Sequence, residues 1–444
     1  MTVEPAIDPH ESNAVTDAAR RRLPLVALFA AQLCSLGGNA IALVAVPLIV
    51  LAQTGSPLAA GVAGIFATVP LVIGGALGGV LVDRFGYRAS SIVADVASFA
   101  TVLAIPVLDE TVGLPFGALL ALVFLGGLLD PPGDTAKTVL MPELAALAGT
   151  SLPRAAGAQS AVQRTAVMMG AGTAGTIVAL AGPMTALIVD AGGFALAALL
   201  VAVFIPRRMP GAAAAPGPAD PGDPGDPADA AGVTGGGFVA GIRFIAATPL
   251  ARGVVLLVTL TNAIDAAGMT VLKPVYASQT LGDPAVLGFM VGCFAAGALT
   301  GSAIFAAGSH RASGRMMFAV CFVLAGTPPY AAMAIGTPLP LLLVVFALSG
   351  LAAGAINPMI STALYGVVPD GMRARVFGAL TAGVAASMPL GALLSGLAVD
   401  AFGIVPTLAA CAVLYAVLGA SPLVLRSFDG LSDARHAAAV DTSA

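Results

Sequence analysis

Charge is what this chain has least of. Only 9% of its 444 residues are Asp, Glu, Lys or Arg, against about 25% in an ordinary soluble domain. With 58% hydrophobic residues, a water-soluble fold of this size has nowhere to hide its apolar surface. Tryptophan is absent and there are five tyrosines, so any aromatic belt at a lipid interface rests on few Tyr and Phe. Histidine is limited to His10, His310 and His436. The four cysteines, Cys34, Cys293, Cys321 and Cys411, show neither disulfide nor metal-ligand spacing. No glycine–x4–glycine–lysine–serine/threonine loop is present, which argues against direct drive by ATP. No catalytic triad stands out either. An enzyme, a resident cofactor and a nucleic-acid partner are therefore not expected.

What the chain does have is apolar runs along its whole length, each near the ~20 residues that cross a bilayer. Spans are expected near 24–51, 58–81, 90–108, 114–136, 158–181 and 184–205. A second set is expected near 252–276, 285–307, 316–335, 339–363, 376–399 and 404–425. The run after Arg20, Arg21 and Arg22 extends from Leu23 to Leu51, well beyond the ~7–15 apolar residues of a cleavable signal, and reads as the first span. Residues 1–19 are polar and expected to be disordered, and 427–444 form a polar tail. Residues 210–237 hold repeated Pro, Gly and Asp, which build neither helix nor core, and read as a flexible linker. It separates a first bundle, 20–209, from a second, 238–426. The 54 glycines suit close helix contact in lipid, as in Gly75/Gly79, Gly288/Gly292, Gly297/Gly301 and Gly350/Gly354.

With the N-terminus placed in the cytoplasm, every Arg and Lys except Lys273 falls on the cytoplasmic side, as the positive-inside rule requires. An even number of spans returns the C-terminus there. The two sets of spans are also related. At an offset of 227 residues Pro47 meets Pro274, Pro57 meets Pro284, Arg84 meets Arg311, Arg88 meets Arg315, Pro131 meets Pro358 and Pro142 meets Pro369. Two same-orientation halves are a known transporter plan, with the substrate path between them.

The loop after span two carries Gly79, Asp83, Arg84, Gly86 and Arg88. This glycine–x–x–x–aspartate–arginine–x–glycine spacing resembles the signature loop of the major facilitator superfamily, with Tyr87 where a basic residue is frequent. Its second copy holds His310 and Arg311 in place of the acid and base. The segment Pro369, Asp370, Arg373, Arg375, Phe377 and Gly378, together with Lys137, Pro142 and Glu143, is similar to the branch of macrolide-efflux and enterobactin-exporter proteins. The resemblance implies an all-α membrane protein: twelve transmembrane helices in two pseudo-symmetric six-helix bundles. It also implies a latch role for Asp83, Arg84 and Arg88. Antiporters of the superfamily often carry a glycine–proline pattern in span five. Here Gly170, Gly172 and Gly175 keep the glycines without the proline.

Acids inside a membrane are costly and mark function by default. Asp95 lies in span three. Asp130 and Asp134 sit one turn apart in span four beside Pro131 and Pro132. With Lys137, Arg164, Arg373 and Arg375 they suggest a cytoplasmic gate network, with direct proton coupling and plain structural pairing as the alternatives. Asp190 in span six reads as structural. Asp265, near the middle of span seven with Asn262 on its face, is the first candidate for proton coupling or a cavity site. Gln32, Asn39 and Asn357 are further cavity candidates.

The reading that results is a proton-coupled secondary exporter in a bacterial inner membrane. It would act as a monomer on an amphipathic organic molecule, with protons and the lipid bilayer as its other partners. An uptake permease of the same fold is the first alternative. A non-transporting scaffold or sensor is the second.

Overall fold

The computed structural model describes residues 9–207, 235–308, 314–369 and 372–429, all helices and short connections, with no β-strand among them. The first half comprises α1 (Pro9–Thr54), α2 (Pro57–Phe85), α3 (Tyr87–Thr111), α4 (Phe116–Leu147) and α5 (Leu152–Phe204). A short α6 (Gly235–Ala247) leads into α7, which starts at Pro249 and continues through two π-helical segments, Gly268–Leu272 and Tyr276–Thr280. Then come α8 (Val286–Gly308), α9 (Arg315–Ala334), α10 (Leu339–Val367), α11 (Arg373–Phe402) and α12 (Ile404–Val424).

Eleven apolar segments among the described residues are long enough to cross a membrane. One of them, Arg154–Phe204, runs for 51 residues, too long for a single crossing of ~30 Å. It turns at Gly182, whose φ of 82° is a region that glycine enters without steric penalty. Pro183 then starts the next helix, where its missing N–H costs nothing. The break yields spans five and six, and twelve in all.

One expectation changes. Residues 9–19, expected to be disordered, are helical: Pro9 opens α1 and is followed by Glu, Ala and Arg, all good helix formers. Lys273, the one basic residue expected off the cytoplasmic side, lies inside the apolar segment Pro249–Thr280, within the span expected near 252–276. The expected linker lies largely outside the described residues.

Contacts divide the chain into two compact units. The first joins Met1–Ala42, Ile73–Gly170 and Met184–Ala215; the second joins Leu43–Val72, Ala171–Pro183 and Pro216–Ala444. This differs from a division into 20–209 and 238–426, because parts of spans one, two and five belong with the second half. Close glycine contacts accompany it. Within the second unit, a side-chain carbon at Gly175 would fall 2.8 Å from the Gly288 Cα, and one at Gly61 would fall 2.6 Å from the Ala392 carbonyl oxygen.

The same chemistry joins α8 to α10. Gly297 meets Ala347 and Gly301 meets Leu351, while Gly350 meets Phe294 and Gly354 meets Ala298, each so closely that a methyl group would overlap backbone. Three of the four small-residue pairs read from the sequence are therefore packing faces. Gly75 is not, since nothing lies within 4 Å of it.

The repeat has a counterpart in hydrogen bonding. Arg88 donates from Nε to the Ile205 carbonyl (2.8 Å) and from Nη2 to that of Ala202 (2.6 Å). Its repeat partner Arg315 donates to the carbonyls of Pro422, Leu423 and Leu425 and pairs with Asp429. Each arginine caps the last helix of its own half, where orphan carbonyls and the helix dipole both favour a cation. Arg315→Ala is expected to cost about 1–3 kcal/mol, seen as earlier thermal unfolding in detergent. Arg315→Lys should not restore it, because an ammonium lacks the planar fork.

Candidate functional site

The first unit gathers three carboxyls and a lysine inside the bundle. Lys137, on α4 one turn beyond Asp134, has a fully buried side chain, and Asp95 on α3 is 1% exposed. The Lys137 ammonium donates to Asp95 Oδ1 (2.7 Å) and to Ser35 Oγ on α1 (2.9 Å). Asp134 Oδ1 stands 4.0 Å from the same ammonium. One turn back on α4, Asp130 Oδ2 accepts from Asn39 Nδ2 on α1 (2.8 Å). Three carboxyls thus gather around one ammonium. Asp95 Oδ2 and Asp134 Oδ1 are buried with no hydrogen-bond partner among the described residues. Gly133 lets α4 approach α3 here, with Ala94 in close contact. Pro131 and Pro132 lie within α4 and leave carbonyls of the preceding turn unbonded.

This brings together Asp95, Asp130, Asp134, Lys137 and Asn39, all named from the sequence. Ser35 was missed, although Gln32, Ser35 and Asn39 follow at helical spacing along one face of α1. Gln32 is buried and its Oε1 has no partner among the described residues. Asp190 is fully buried beside Gly38, and neither of its oxygens has a partner there.

Arg164 is exposed. Arg84 is exposed and lies over the Phe85 ring at 5.8 Å, whereas Arg88 serves as a helix cap. Arg373 stacks on Tyr365 at 5.1 Å and bonds its carbonyl, and Arg375 reaches Met372 Sδ. Both belong to the second unit. Gly86, with φ 82°, forms the turn into α3. The side chains of Gly79 to Asp83, like His310, Arg311 and Asp370, lie outside the described residues.

In the second unit Asp265 is exposed on α7, and its Oδ2 accepts from the Tyr415 hydroxyl of α12 (3.3 Å). The Tyr330 hydroxyl of α9 donates to the adjacent Ile264 carbonyl (2.9 Å). The two tyrosine rings lie 6.3 Å apart, and Gly268 leaves room for the Tyr330 hydroxyl. Asn262 turns to its own helix and donates to the Val258 carbonyl (2.8 Å), so it supports the backbone more than it extends the Asp265 face. Asn357 is exposed on α10. Tyr330 and Tyr415 could not have been linked to Asp265 by spacing, being far away in the chain.

Known proteins agree with this architecture. The sequence profile of the Major Facilitator Superfamily matches residues 255–439. Over 402 residues the chain is 30% identical to the multidrug efflux pump Tap of Mycolicibacterium fortuitum, an overlap covering 90% of this chain and 95% of that protein. The chain belongs to the major facilitator superfamily. This superfamily member is also 30% identical to Tap of Mycobacterium tuberculosis (strain ATCC 25618 / H37Rv), over 88% of its own length and 91% of the relative's. Among solved folds it resembles a bacterial homologue of the iron transporter ferroportin in an inward-facing state, at 14% identity and a TM-score of 0.66, covering 90% of this chain and 99% of that one. It likewise resembles a bacterial homologue of the human lysosomal transporter Spinster, at 15% identity and a TM-score of 0.67, covering 93% and 97%. These likenesses carry the fold: an all-α, multi-pass membrane transporter.

Proposed function

We propose that the chain exports small amphipathic organic molecules across a bacterial inner membrane by alternating access, driven by inward proton flow. Kinship with the Tap pumps over nine-tenths of the chain is the observation that carries export. Proton coupling rests on the α1–α3–α4 cluster. Three carboxyls around one ammonium carry an excess of negative charge where charge is expensive. A proton taken up by Asp95, Asp130 or Asp134 removes that excess, and its release restores it. The Lys137 ammonium can shift between Asp95 and Asp134 as the proton moves, which links loading to the packing of α1, α3 and α4. The latch role of Asp83, Arg84 and Arg88 and cytoplasmic termini belong to the same proposal.

The test is ethidium efflux from a pump-deficient bacterium expressing the chain. Efflux is expected to stop on adding a protonophore and to fall more than about tenfold in Asp134→Asn, a loss of about 1.4 kcal/mol or more. Efflux that survives the protonophore would remove proton coupling. Faster dye accumulation in expressing cells would turn the reading into an uptake permease.

A further inference from the structure

Lys273 is one of only two lysines in the chain, the other being Lys137. Unlike Lys137, it pairs with no carboxylate among the described residues. Its ammonium lies 3.4 Å from Met269 Sδ, 5.9 Å from the centre of the Phe294 ring and 5.7 Å from that of Phe346. A thioether is a weak acceptor and aromatic faces attract a cation only partly. None of these supplies a counter-charge; Asp265, two turns away on the same helix, acts on the ammonium without contact.

Position and direction argue against an ordinary interfacial lysine. Lys273 stands seven residues before the end of α7 at Thr280, about 10 Å along the helix axis. Phe294 and Phe346 lie eight and seven residues into α8 and α10 from the same end, at a similar depth. A snorkelling side chain would reach toward that end. Lys273 reaches the other way, onto Met269 one turn deeper. It is held there where α8 and α10 press together through Gly297, Gly301, Gly350 and Gly354. The π-helical segments on either side of it are of a kind that recurs at functional sites.

Accessibility supplies the second observation. Between residues 264 and 277 every side chain of α7 is buried except Asp265, Met269 and Lys273. At i, i+4 and i+8 these three form one line along a single open face, acidic at one end and basic at the other. Phe294 is itself only partly buried and offers a ring edge beside the ammonium.

We infer that Lys273, with Phe294 and Met269, is an anion-recognition subsite of the transport path, binding the carboxylate, sulfonate, phosphate or phenolate group of an amphipathic aromatic substrate. The ammonium has three donors and no acceptor, so an anionic oxygen completes what its protein neighbours leave open. The ring beside it suits a flat apolar body. The inference rests on the exporter reading for its transport role, but binding can be read without transport.

The test uses the purified full chain in phosphatidylcholine nanodiscs and two probes on one xanthene ring system, anionic fluorescein and cationic rhodamine 123. Wild type is expected to bind fluorescein. In Lys273→Gln the ratio of fluorescein affinity to rhodamine 123 affinity should fall about tenfold, the worth of one charge-assisted contact. Lys273→Arg should keep most of that ratio. An unchanged ratio, an equal loss for both probes, or no fluorescein binding by wild type overturns the inference. So does a response confined to discs containing phosphatidylglycerol, which would assign the ammonium to a lipid headgroup. Fluorescein binding that depends on Lys273, without any dye movement in vesicles, would keep this subsite and overturn the exporter reading instead.

Discussion

Lys137→Ala is expected to abolish ethidium efflux and to destabilise the first unit by about 3–5 kcal/mol, the usual cost of stripping one partner from a buried ion pair. The Lys137 side chain is fully buried and that of Asp95 is 1% exposed. Losing the ammonium leaves Asp95 with neither oxygen paired, because Oδ2 already lacks a partner among the described residues. Ser35 loses its donor at the same time. A double variant separates stability from mechanism. Asp95→Leu with Lys137→Met replaces the pair by apolar groups of similar volume, an exchange that is often neutral or stabilising. Thermal unfolding in detergent should return to near the wild-type value, while efflux stays absent. Efflux restored in the double variant would reduce the cluster to a packing device and remove it from proton coupling.

Gly288→Leu should lower efflux more than about tenfold with the protein still present in the membrane. Gly288 and Gly175 meet backbone to backbone, and Gly292 meets Gly172 one turn further on. There is no space for a side chain between these helices, and forced overpacking costs about 1–3 kcal/mol even in cores that can adjust. The contact ties residues 171–183 of span five to α8 inside the second unit. Under the alternating access proposed above, this contact forms and parts in each cycle, so blocking it is expected to halt transport before it halts folding. Gly75→Ala is the matched control, since nothing lies within 4 Å of that position. If Gly288→Leu proves as harmless as the control, close approach at this point is not needed for transport.

These two predictions draw on different amounts of sequence information. The glycines of span five and α8 were visible as spaced small residues, but spacing does not say what a glycine faces. Gly75 has the same sequence signature as Gly297 and packs against nothing. Only the placement of a neighbouring backbone distinguishes them. The acids of α3 and α4 were visible because charge in an apolar run is conspicuous. Their grouping with Lys137 followed in part from shared depth. Depth alone does not choose a partner: Arg88 lies near the same end of the bundle and turns to the carbonyls of Ala202 and Ile205, because side-chain direction around the helix axis decides pairing. Asn262 illustrates the same limit. It lies three residues from Asp265, and its amide is drawn back to the Val258 carbonyl.

The membrane class, the span count, the repeat and the superfamily were all legible in the chain. Each follows from quantities local in the chain: the length of apolar runs, the Gly182–Pro183 break, and the recurrence of prolines and arginines at one offset. Tertiary structure alone decided which polar groups meet. Ser35 joins Lys137 across 102 residues, and Tyr415 reaches Asp265 across 150. It also decided that the Lys273 ammonium turns onto Met269 beside the Phe294 and Phe346 rings. The physical reason is that hydropathy measures whether a segment can leave water, a sum over side chains that ignores their order. Pairing depends on the rotation of each helix about its axis and on the glycines that set how near its neighbours come.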